Sequence, residues 1–275
     1  MRRSVESDMS LSRILAVANQ KGGVGKTTTV VSVATNVALQ GYRTLLIDLD
    51  PQGNATTGLG VDPRTLESSS YNVLVQQLPI SAARVQTVVE GLDLVPSTLD
   101  LAGAEVELVP MFSRELRLRS AISLVSSEYD YIFIDCPPSL GMLTVNSLAA
   151  ATEVIVPLQC EYYALEGLGQ LLNNVGLVQD SLNADLKVSS IVLVMFDART
   201  RLAEQVAAEV REHFGDLVLE TVVPRSVRLS EAPSYGKPVE LYDPSSTGAF
   251  AYREVTKEII AQQAIEPDIP SERSW

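Results

Sequence analysis

Short apolar runs alternate with longer, helix-length segments along most of the chain. The runs with the length and composition of buried strands are residues 14–18, 44–47, 92–95, 131–135, 153–158, 188–195 and 217–223. The segments that suggest helices are residues 30–39, 66–77, 113–126, 162–178, 202–214 and 248–263. This alternation predicts βαβ units, and therefore a doubly wound α/β fold with a mostly parallel sheet and helices on both faces.

Connections and chain ends are marked by glycine, proline and the loss of any apolar period. Residues 51–63 are predicted to be a loop, and residues 224–244 a long loop with one or two helical turns at most. Residues 1–12 and 264–275 are predicted to be flexible tails around one domain, 13–263. The sequence has no apolar stretch of transmembrane length, so no membrane span is expected.

A glycine-rich turn stands between the first strand and the first helix, in the sequence KGGVGKT at residues 21–27. Glycines 22, 23 and 25 let the backbone approach a triphosphate and turn N–H groups toward its oxygens. The positive end of the following helix faces the same anion. Lys26 is expected to reach the β- and γ-phosphates, and the Thr27 hydroxyl to bind Mg²⁺. The turn departs from the usual phosphate loop because Gln20 replaces its first glycine.

Two predicted strands end in aspartate. The strand at 131–135 ends in Asp135, which is the Walker B arrangement for a carboxylate that serves a Mg²⁺ site. The loop after it contains Pro137, Pro138 and Gly141, and we interpret it as a switch loop that senses the γ-phosphate; a plain turn remains the alternative. The strand at 44–47 is followed by Asp48 and Asp50, whose alternation places them on one side of the chain.

Charge and cysteine content restrict the possible partners. The net charge is −13, which taken alone argues against nucleic acid. Residues 199–237 hold six basic and six acidic groups, so this stretch is either a locally basic surface or a solvated mixed-charge face. With only Cys136 and Cys160, the chain fits a reducing cytoplasm. The single histidine, His213, argues against histidine-based metal sites and catalysis.

Four motifs resemble those of the ParA/Soj chromosome- and plasmid-partition ATPases, a deviant Walker A group within the ParA/MinD class. They are NQKGGVGKTTT at 19–29, LLIDLDPQGNATTGLG at 45–60, YIFIDCPPSLG at 131–141 and VVPRSVRLSEAPSYGKPV at 222–239. The similarity covers about residues 13–262. The resemblance implies a P-loop NTPase fold with ATP and Mg²⁺ as cofactors.

The resemblance also implies roles for particular residues. Lys21 is the signature lysine that reaches the partner's ATP in a nucleotide-sandwich homodimer, and Asp50 supports hydrolysis by orienting water. Arg199 and Arg228 are implied to bind DNA phosphates. The implied metal-site residues are Thr27, Asp48 and Asp135. The implied nucleotide-binding residues are Lys21, Gly22, Gly23, Val24, Gly25, Lys26, Thr27, Thr28, Pro224 and Arg225.

The function implied is an ATPase cycle that segregates DNA in the cytoplasm at the nucleoid. The ATP-bound dimer binds non-specific double-stranded DNA, and hydrolysis stimulated by a ParB-type partner releases it. Three alternatives share the nucleotide loop: a MinD-like membrane ATPase, an iron–sulfur reductase and a positioner of protein cargo. The acidic, proline-broken C-terminus disfavours membrane binding, and the two cysteines disfavour the reductase. Sequence alone does not distinguish an ATPase that positions protein cargo from one that segregates DNA.

Overall fold

A computed structural model describes residues 12–262, so nearly all of both predicted tails lies outside the described residues. Within this range the strands form one seven-stranded sheet in the order β3-β4-β2-β5-β1-β6-β7, with β3 antiparallel to β4 and all other pairs parallel. The strands are β1 Arg13–Val17, β2 Thr44–Asp48, β3 Val85–Gln86, β4 Leu92–Val95, β5 Tyr131–Asp135, β6 Glu153–Gln159 and β7 Lys187–Val194.

Helices cover both faces of this sheet. In the described part of the chain they are α1 Lys26–Leu39, α2 Asn54–Gly58, α3 Ser70–Gln76, α4 Ile80–Ala83, α5 Leu101–Glu107, α6 Arg117–Ser123, α7 Met142–Ala150, α8 Ala164–Ser181, α9 Arg201–Phe214, α10 Val227–Glu231, α11 Val239–Tyr242 and α12 Thr247–Ala261. The doubly wound, mostly parallel α/β fold predicted from the sequence is confirmed.

Two apolar cores lie on opposite faces of the sheet. Alternate residues of a strand point to opposite faces, so Leu15 and Val17 enter one core and Ala16 enters the other. The core with Leu15 is closed mainly by α1 and α12, whereas α3 to α9 cover the other. Strands β2 and β5 are buried along their whole length, which is why they read as continuous apolar runs.

The predicted strand at 217–223 is wrong. A 3₁₀ turn spans Gly215–Leu217, and beyond it the chain meets its neighbours in only two isolated bridges, Ile191 with Val218 and Phe196 with Pro224. Backbone hydrogen bonds to β7 occur only at the two ends of this stretch, where the N–H groups of residues 219 and 223 donate to the carbonyl oxygens of residues 191 and 193. Between them, Arg211 donates to the carbonyl oxygens of residues 219 and 220, and the Glu258 carboxylate accepts from the N–H groups of residues 220 and 221. The ladder to β7 is therefore interrupted, and the run does not form a continuous strand.

Other differences concern short elements. Residues 51–63 contain α2 rather than only a loop, and residues 224–244 contain α10, a 3₁₀ turn and α11. Helices α3 and α6 are shorter than predicted, and α8 begins and ends later. The sequence analysis missed α4, α5, α7 and β3. Among residues 12–262, no helix is both long and apolar enough to cross a membrane.

One edge of the sheet collects the carboxyl ends of the parallel strands. The glycine-rich turn leaves this edge from β1, between β5 and β6. Asp48 and Asp135 end adjacent strands and are register partners, as are Val17 and Asp135. In open α/β sheets, ligands bind outside this edge where the strand order reverses. The fold therefore assembles the predicted site residues at the position expected for a ligand.

Candidate nucleotide-binding site

The turn between β1 and α1 has the backbone conformation of an anion-binding loop. Gly23 and Gly25 have φ values of 71° and 88°, a region that side chains other than glycine seldom adopt. Gly25 is the N-cap residue of α1, and no described side chain caps that helix start. The N–H groups of its first turn can therefore bind an anion that lies along the helix axis.

Lys26 is a buried cation at the start of α1. The residue is 6% exposed, and its Nζ donates to the Lys21 carbonyl oxygen at 3.2 Å. Burial lowers the pKa of Lys26, while the charges of Asp135 and Asp50 act in the opposite direction. An ammonium group has three N–H donors, and the hydrogen bond to the Lys21 carbonyl oxygen uses one of them, so Lys26 can also donate to phosphate oxygens.

Asp135 at the end of β5 is fully buried, and within residues 12–262 neither of its carboxylate oxygens accepts a hydrogen bond of normal length and angle. Burial and the neighbouring charge of Asp48 raise the pKa of Asp135 well above its usual value, whereas a weak hydrogen bond from the Thr27 side chain and the charge of Lys26 lower it. A buried carboxylate without a partner is costly unless a ligand completes it. Its two free oxygens fit a Mg²⁺ ion, since this ion prefers oxygen ligands.

Asp48 and Asp50 differ in how their carboxylates are held. Asp48 accepts from the Asp50 N–H at 3.1 Å, the Thr56 N–H at 2.9 Å and the Thr56 hydroxyl at 2.7 Å. Burial raises the pKa of Asp48 to about 6, although the hydrogen bonds from Thr56 and Asp50 oppose this shift. Asp50 lies in the loop beyond the strand, is 8% exposed and accepts from the Gln52 N–H at 2.9 Å.

The described residues contain no cluster of three histidine, cysteine or acidic side chains that could hold a metal ion. A Mg²⁺ ion at Asp135 would therefore take most of its ligands from water and from the phosphates of a nucleotide. That arrangement is usual for Mg²⁺, which keeps several waters and uses only one or two carboxylates.

Lys21 lies on the exposed side of the loop, where its Nζ forms an ion pair with the Glu161 carboxylate. Both side chains are 48% exposed. The loop backbone beside Lys21 is fixed by Asn19, whose side chain accepts from the Lys21 N–H at 2.9 Å and donates to the Pro157 carbonyl oxygen at 2.7 Å. The loop is thus tied to the end of β6 while the lysine head group stays accessible.

The predicted adenine-flanking segment lies near the same loop. Residue 195 follows β7, and a Cβ at Gly25 would lie 3.6 Å from Met195 Cε. The next residue, Phe196, bridges to Pro224 and accepts from the Arg225 N–H at 3.2 Å. The chain therefore brings Pro224 and Arg225 to the nucleotide edge of the sheet by way of the exit from β7.

The two predicted DNA-binding arginines lie on neighbouring exposed segments and are both ion-paired. Arg199, whose side chain is 87% exposed, pairs with Asp197 at 2.7 Å. Arg228 pairs with Glu231 at 2.8 Å and with Asp243 at 3.3 Å. Exposed pairs of this kind contribute little to stability, so a DNA phosphate could replace these carboxylates at small cost.

Both cysteines are free and buried. Burial raises the pKa of Cys136 to about 12 and that of Cys160 to about 11. Buried thiols that stay protonated are poor ligands for a cluster shared between two subunits. The iron–sulfur alternative therefore loses the exposed thiolate ligands that it requires.

Comparison with known proteins identifies the family. An AAA domain family (AAA_31) matches residues 12–188. The sporulation initiation inhibitor protein Soj of Bacillus subtilis is 55% identical over 91% of this chain and 99% of that protein. The chromosome partitioning protein ParA of Myxococcus xanthus is 50% identical over 96% of this chain and 93% of that protein. The chain belongs to the Soj/ParA family of chromosome-partitioning ATPases.

Solved structures with the same architecture include nucleotide complexes. A cobyrinic acid a,c-diamide synthase from Mycobacterium smegmatis with bound ADP and magnesium is 41% identical, with a TM-score of 0.81 over 96% of this chain and all of that chain. The septum site-determining protein MinD of Pyrococcus horikoshii, complexed with Mg-ADP, is 23% identical with a TM-score of 0.72 and therefore shows the fold alone. The same Mycobacterium smegmatis enzyme is also solved with a bound ATP analogue and magnesium, and the prediction of ATP and Mg²⁺ agrees with its two complexes.

The sequence analysis missed three side chains that organise the family's site in this chain. Thr56 holds Asp48, Asn19 holds the loop backbone, and Glu161 holds Lys21. Glu161 could have been noticed, since it is a charged residue just beyond a strand that ends at the ligand edge. Asn19 and Thr56 act through hydrogen bonds to backbone and carboxylate, and such partners leave no spacing pattern in the sequence.

Proposed function

We propose that this protein is an ATPase of chromosome or plasmid segregation that hydrolyses ATP to ADP and phosphate as an ATP-dependent homodimer. In this proposal the loop residues 21–28 bind the phosphates, with Lys26 as their buried cation. Thr27, Asp48 and Asp135 serve the Mg²⁺ site, Asp48 by its charge because its oxygens already accept hydrogen bonds. Pro224 and Arg225 flank the adenine.

The observation that carries this proposal is the pairing of a prepared phosphate loop with an incomplete buried carboxylate. Among residues 12–262, the Lys26 ammonium group donates to a carbonyl oxygen rather than to a carboxylate, and the Asp135 carboxylate accepts no hydrogen bond of normal length and angle. An anionic phosphate with its Mg²⁺ ion would complete both groups at once. An uncapped helix start alone would not explain the buried carboxylate, and a buried ion pair would bring the two charged groups into direct contact.

Hydrolysis needs positioning and charge neutralisation more than covalent chemistry. Water attacks the γ-phosphorus while the bond to the β–γ bridging oxygen breaks, and ADP leaves. In this proposal Asp50 orients that water, and its charge effect on Lys26 and Asp135 supports a position in the same site. Bound Mg²⁺ supplies neutralisation of the phosphate charge. Lys21, accessible and at the loop's outer side, is the group that reaches the partner's nucleotide.

DNA binding in this proposal comes from Arg199 and Arg228 on the dimer surface. Two arginines in a chain of net charge −13 would bind DNA weakly. A two-fold dimer doubles the contacts and makes binding depend on ATP. Release follows hydrolysis, which a ParB-type protein stimulates, and the expected location is the cytoplasm at the nucleoid.

The proposal is tested by binding to a random-sequence duplex with ATP, with ADP and without nucleotide, across a salt series. Binding only with ATP, with log affinity that falls by about 0.9 per neutralised phosphate per decade of salt, is the expected result. Arg228→Glu should lose DNA but keep the dimer, and Arg43→Glu, at an exposed, ion-paired arginine just before β2, is a matched control at the opposite end of the sheet. Absence of DNA binding in every nucleotide state would contradict the segregation role.

A further inference from the structure

We infer that Glu105 is a positioning residue for the switch loop, residues 137–141, and thereby for ATP hydrolysis; this inference rests on the proposed ATPase function. Glu105 lies near the end of α5, and α7 begins where the switch loop ends. Its carboxylate crosses between them. Oε2 accepts from the Met142 N–H at 2.7 Å, and Oε1 accepts from the Leu143 N–H at 3.4 Å.

The start of α7 depends on this distant carboxylate. Its own N-cap residue, Gly141, has no side chain, and the first N–H groups of a helix need an acceptor from elsewhere. A Cβ at Gly141 would overlap the Glu105 carboxyl group. Glycine at this position therefore lets the carboxylate reach the helix, and the negative charge also suits the positive end of α7.

The same helical turn holds the switch loop. Thr144 lies in the first turn of α7, and its hydroxyl donates to the Ser139 carbonyl oxygen at 2.5 Å. Ser139 follows Pro137 and Pro138, which restrict the backbone of the loop after Asp135. Glu105 thus fixes the first turn of α7, and Thr144 in that turn fixes Ser139. The switch loop begins beside Asp135 in the proposed Mg²⁺ site and is held in this way at its other end, next to α7.

A second carboxylate in the molecule does the same hydrogen bonding without this connection. Glu258 on α12 accepts from the Glu220 N–H at 2.7 Å and the Thr221 N–H at 3.0 Å. Like Glu105 it is partly exposed and serves two successive backbone N–H groups. Glu258 holds the irregular segment after α9, not a loop that leads to Asp135. It therefore serves as a matched control for a carboxylate that holds backbone N–H groups but not the loop beside the γ-phosphate.

The experiment compares Glu105→Ala, Glu105→Gln and Glu258→Ala in the full chain. We measure kcat, the Kd for ATP and the melting temperature of each. A loop held at one end only would sample misplaced positions around the γ-phosphate, and small displacements have large effects on rate. Glu105→Ala should therefore lower kcat about tenfold and leave the Kd for ATP within about twofold. Glu105→Gln keeps one acceptor of the same length and should lose less.

Glu258→Ala should lower the melting temperature as much as Glu105→Ala but keep kcat. Equal losses of kcat in the two alanine variants, or unchanged kcat in Glu105→Ala, would overturn the inference. If Glu105→Ala does not fold, the reduced kcat of Glu105→Gln at unchanged Kd decides in its place. A wild-type chain that binds ATP without hydrolysing it would instead contradict the proposed function. Glu105 is then judged by the ATP-induced protection of amides 139–141 from exchange, which Glu105→Ala should lose and Glu258→Ala should keep.

Discussion

The two edges of the sheet both bury charge, but they treat it differently. At the amino-terminal edge, Arg13 begins β1 and Glu153 begins β6, and the two side chains form a bidentate pair with both contacts at 2.7 Å. Arg13 also donates to the Ile259 carbonyl oxygen at 2.9 Å. At the carboxyl-terminal edge, Asp135 is just as buried, yet its oxygens have no hydrogen-bond partner among the described residues.

The pKa values of the two carboxylates express this difference. Burial alone would raise the pKa of Glu153, but the hydrogen bonds and charge of Arg13 outweigh burial and hold that pKa below its usual value. For Asp135, burial and the charge of Asp48 raise the pKa well above its usual value. A buried carboxylate that is paired and hydrogen-bonded has a structural role, whereas one without such partners is a candidate ligand-binding group.

Removal of Glu153 should give the largest loss of stability. Glu153→Ala leaves Arg13 buried with only a carbonyl oxygen, so the free energy of unfolding should fall by about 3–5 kcal/mol. Urea denaturation measures this change. Glu254→Ala removes one partner of the exposed pair with Lys257 and serves as control, with an expected loss below about 1 kcal/mol. Equal losses would mean that the edges do not differ in the way argued above.

Removal of the Asp135 charge at the carboxyl-terminal edge should increase the free energy of unfolding rather than decrease it. Asp135→Asn replaces a carboxylate without partners by a neutral group of equal size. The ligand-free chain should gain about 2–3 kcal/mol, because the cost of a buried charge disappears. The increase in melting temperature on addition of Mg²⁺ and ATP should be lost. A less stable ligand-free variant would show that Asp135 already has a structural partner.

Glu240 on α11 is intermediate between Glu153 and Asp135, because only one of its carboxylate oxygens is hydrogen-bonded within residues 12–262. Its Oε1 accepts from the Asn36 side chain at 3.0 Å, but no residue of the described chain bonds its Oε2. Burial raises the pKa of Glu240 to about 7 from 4.5. A carboxyl group whose folded pKa is raised costs stability as the pH rises from about 4.5 through 7, since the unfolded chain ionises first.

Glu240→Gln should therefore gain about 3 kcal/mol over wild type at pH 8 and less than about 0.5 kcal/mol at pH 4.5. Urea denaturation at both pH values measures the gain. Glu254→Gln, at an exposed position, should show no such dependence. A gain that is the same at both pH values would assign the effect to packing rather than to ionisation.

The sequence predicts the positions of residues whose place is set by local spacing. The loop glycines, Lys26 and the aspartates at strand ends follow from spacing, because the phosphate loop and the parallel strands fix their positions. The alternation of apolar runs predicted the sheet for the same reason. Contacts between distant segments were not readable: Glu105 meets the start of α7 across 37 residues, and Glu161 meets Lys21 across 140.

Short elements were missed for a related reason. Helix α5 has seven residues and its outward face is apolar at Val106, which is 74% exposed, so the period that marks a helix against a core is blurred. Helix α7 is nearly all buried and shows little amphipathicity. The segment 217–223 has strand-like residues, but its backbone ladder to β7 is interrupted at residues 220 and 221, which bond to Arg211 and Glu258 instead. Tertiary contacts therefore overrode local pattern in each case.

The smallest change in stability is expected for the ion pair of Lys21 with Glu161, which lies at the ligand edge but in solvent. Glu161→Gln should change the free energy of unfolding by less than about 0.5 kcal/mol, because both side chains are 48% exposed. The affinity between subunits in the dimer should change more than the stability in this variant. If Lys21 must leave Glu161 to reach the partner's nucleotide, loss of the pair removes that cost in each subunit.

An exposed pair is worth about 0.2–1 kcal/mol, so the affinity of the dimer with a non-hydrolysable ATP analogue should rise about 1.5- to fivefold per subunit. Sedimentation equilibrium measures the affinity, and Glu254→Gln, which breaks an exposed pair on α12, should leave it unchanged. A weaker dimer in Glu161→Gln would mean that Glu161 itself contributes to the contact between subunits. In that case Glu161 would hold Lys21 in the position that contacts the partner subunit, just as Glu153 holds Arg13 at the opposite edge of the sheet.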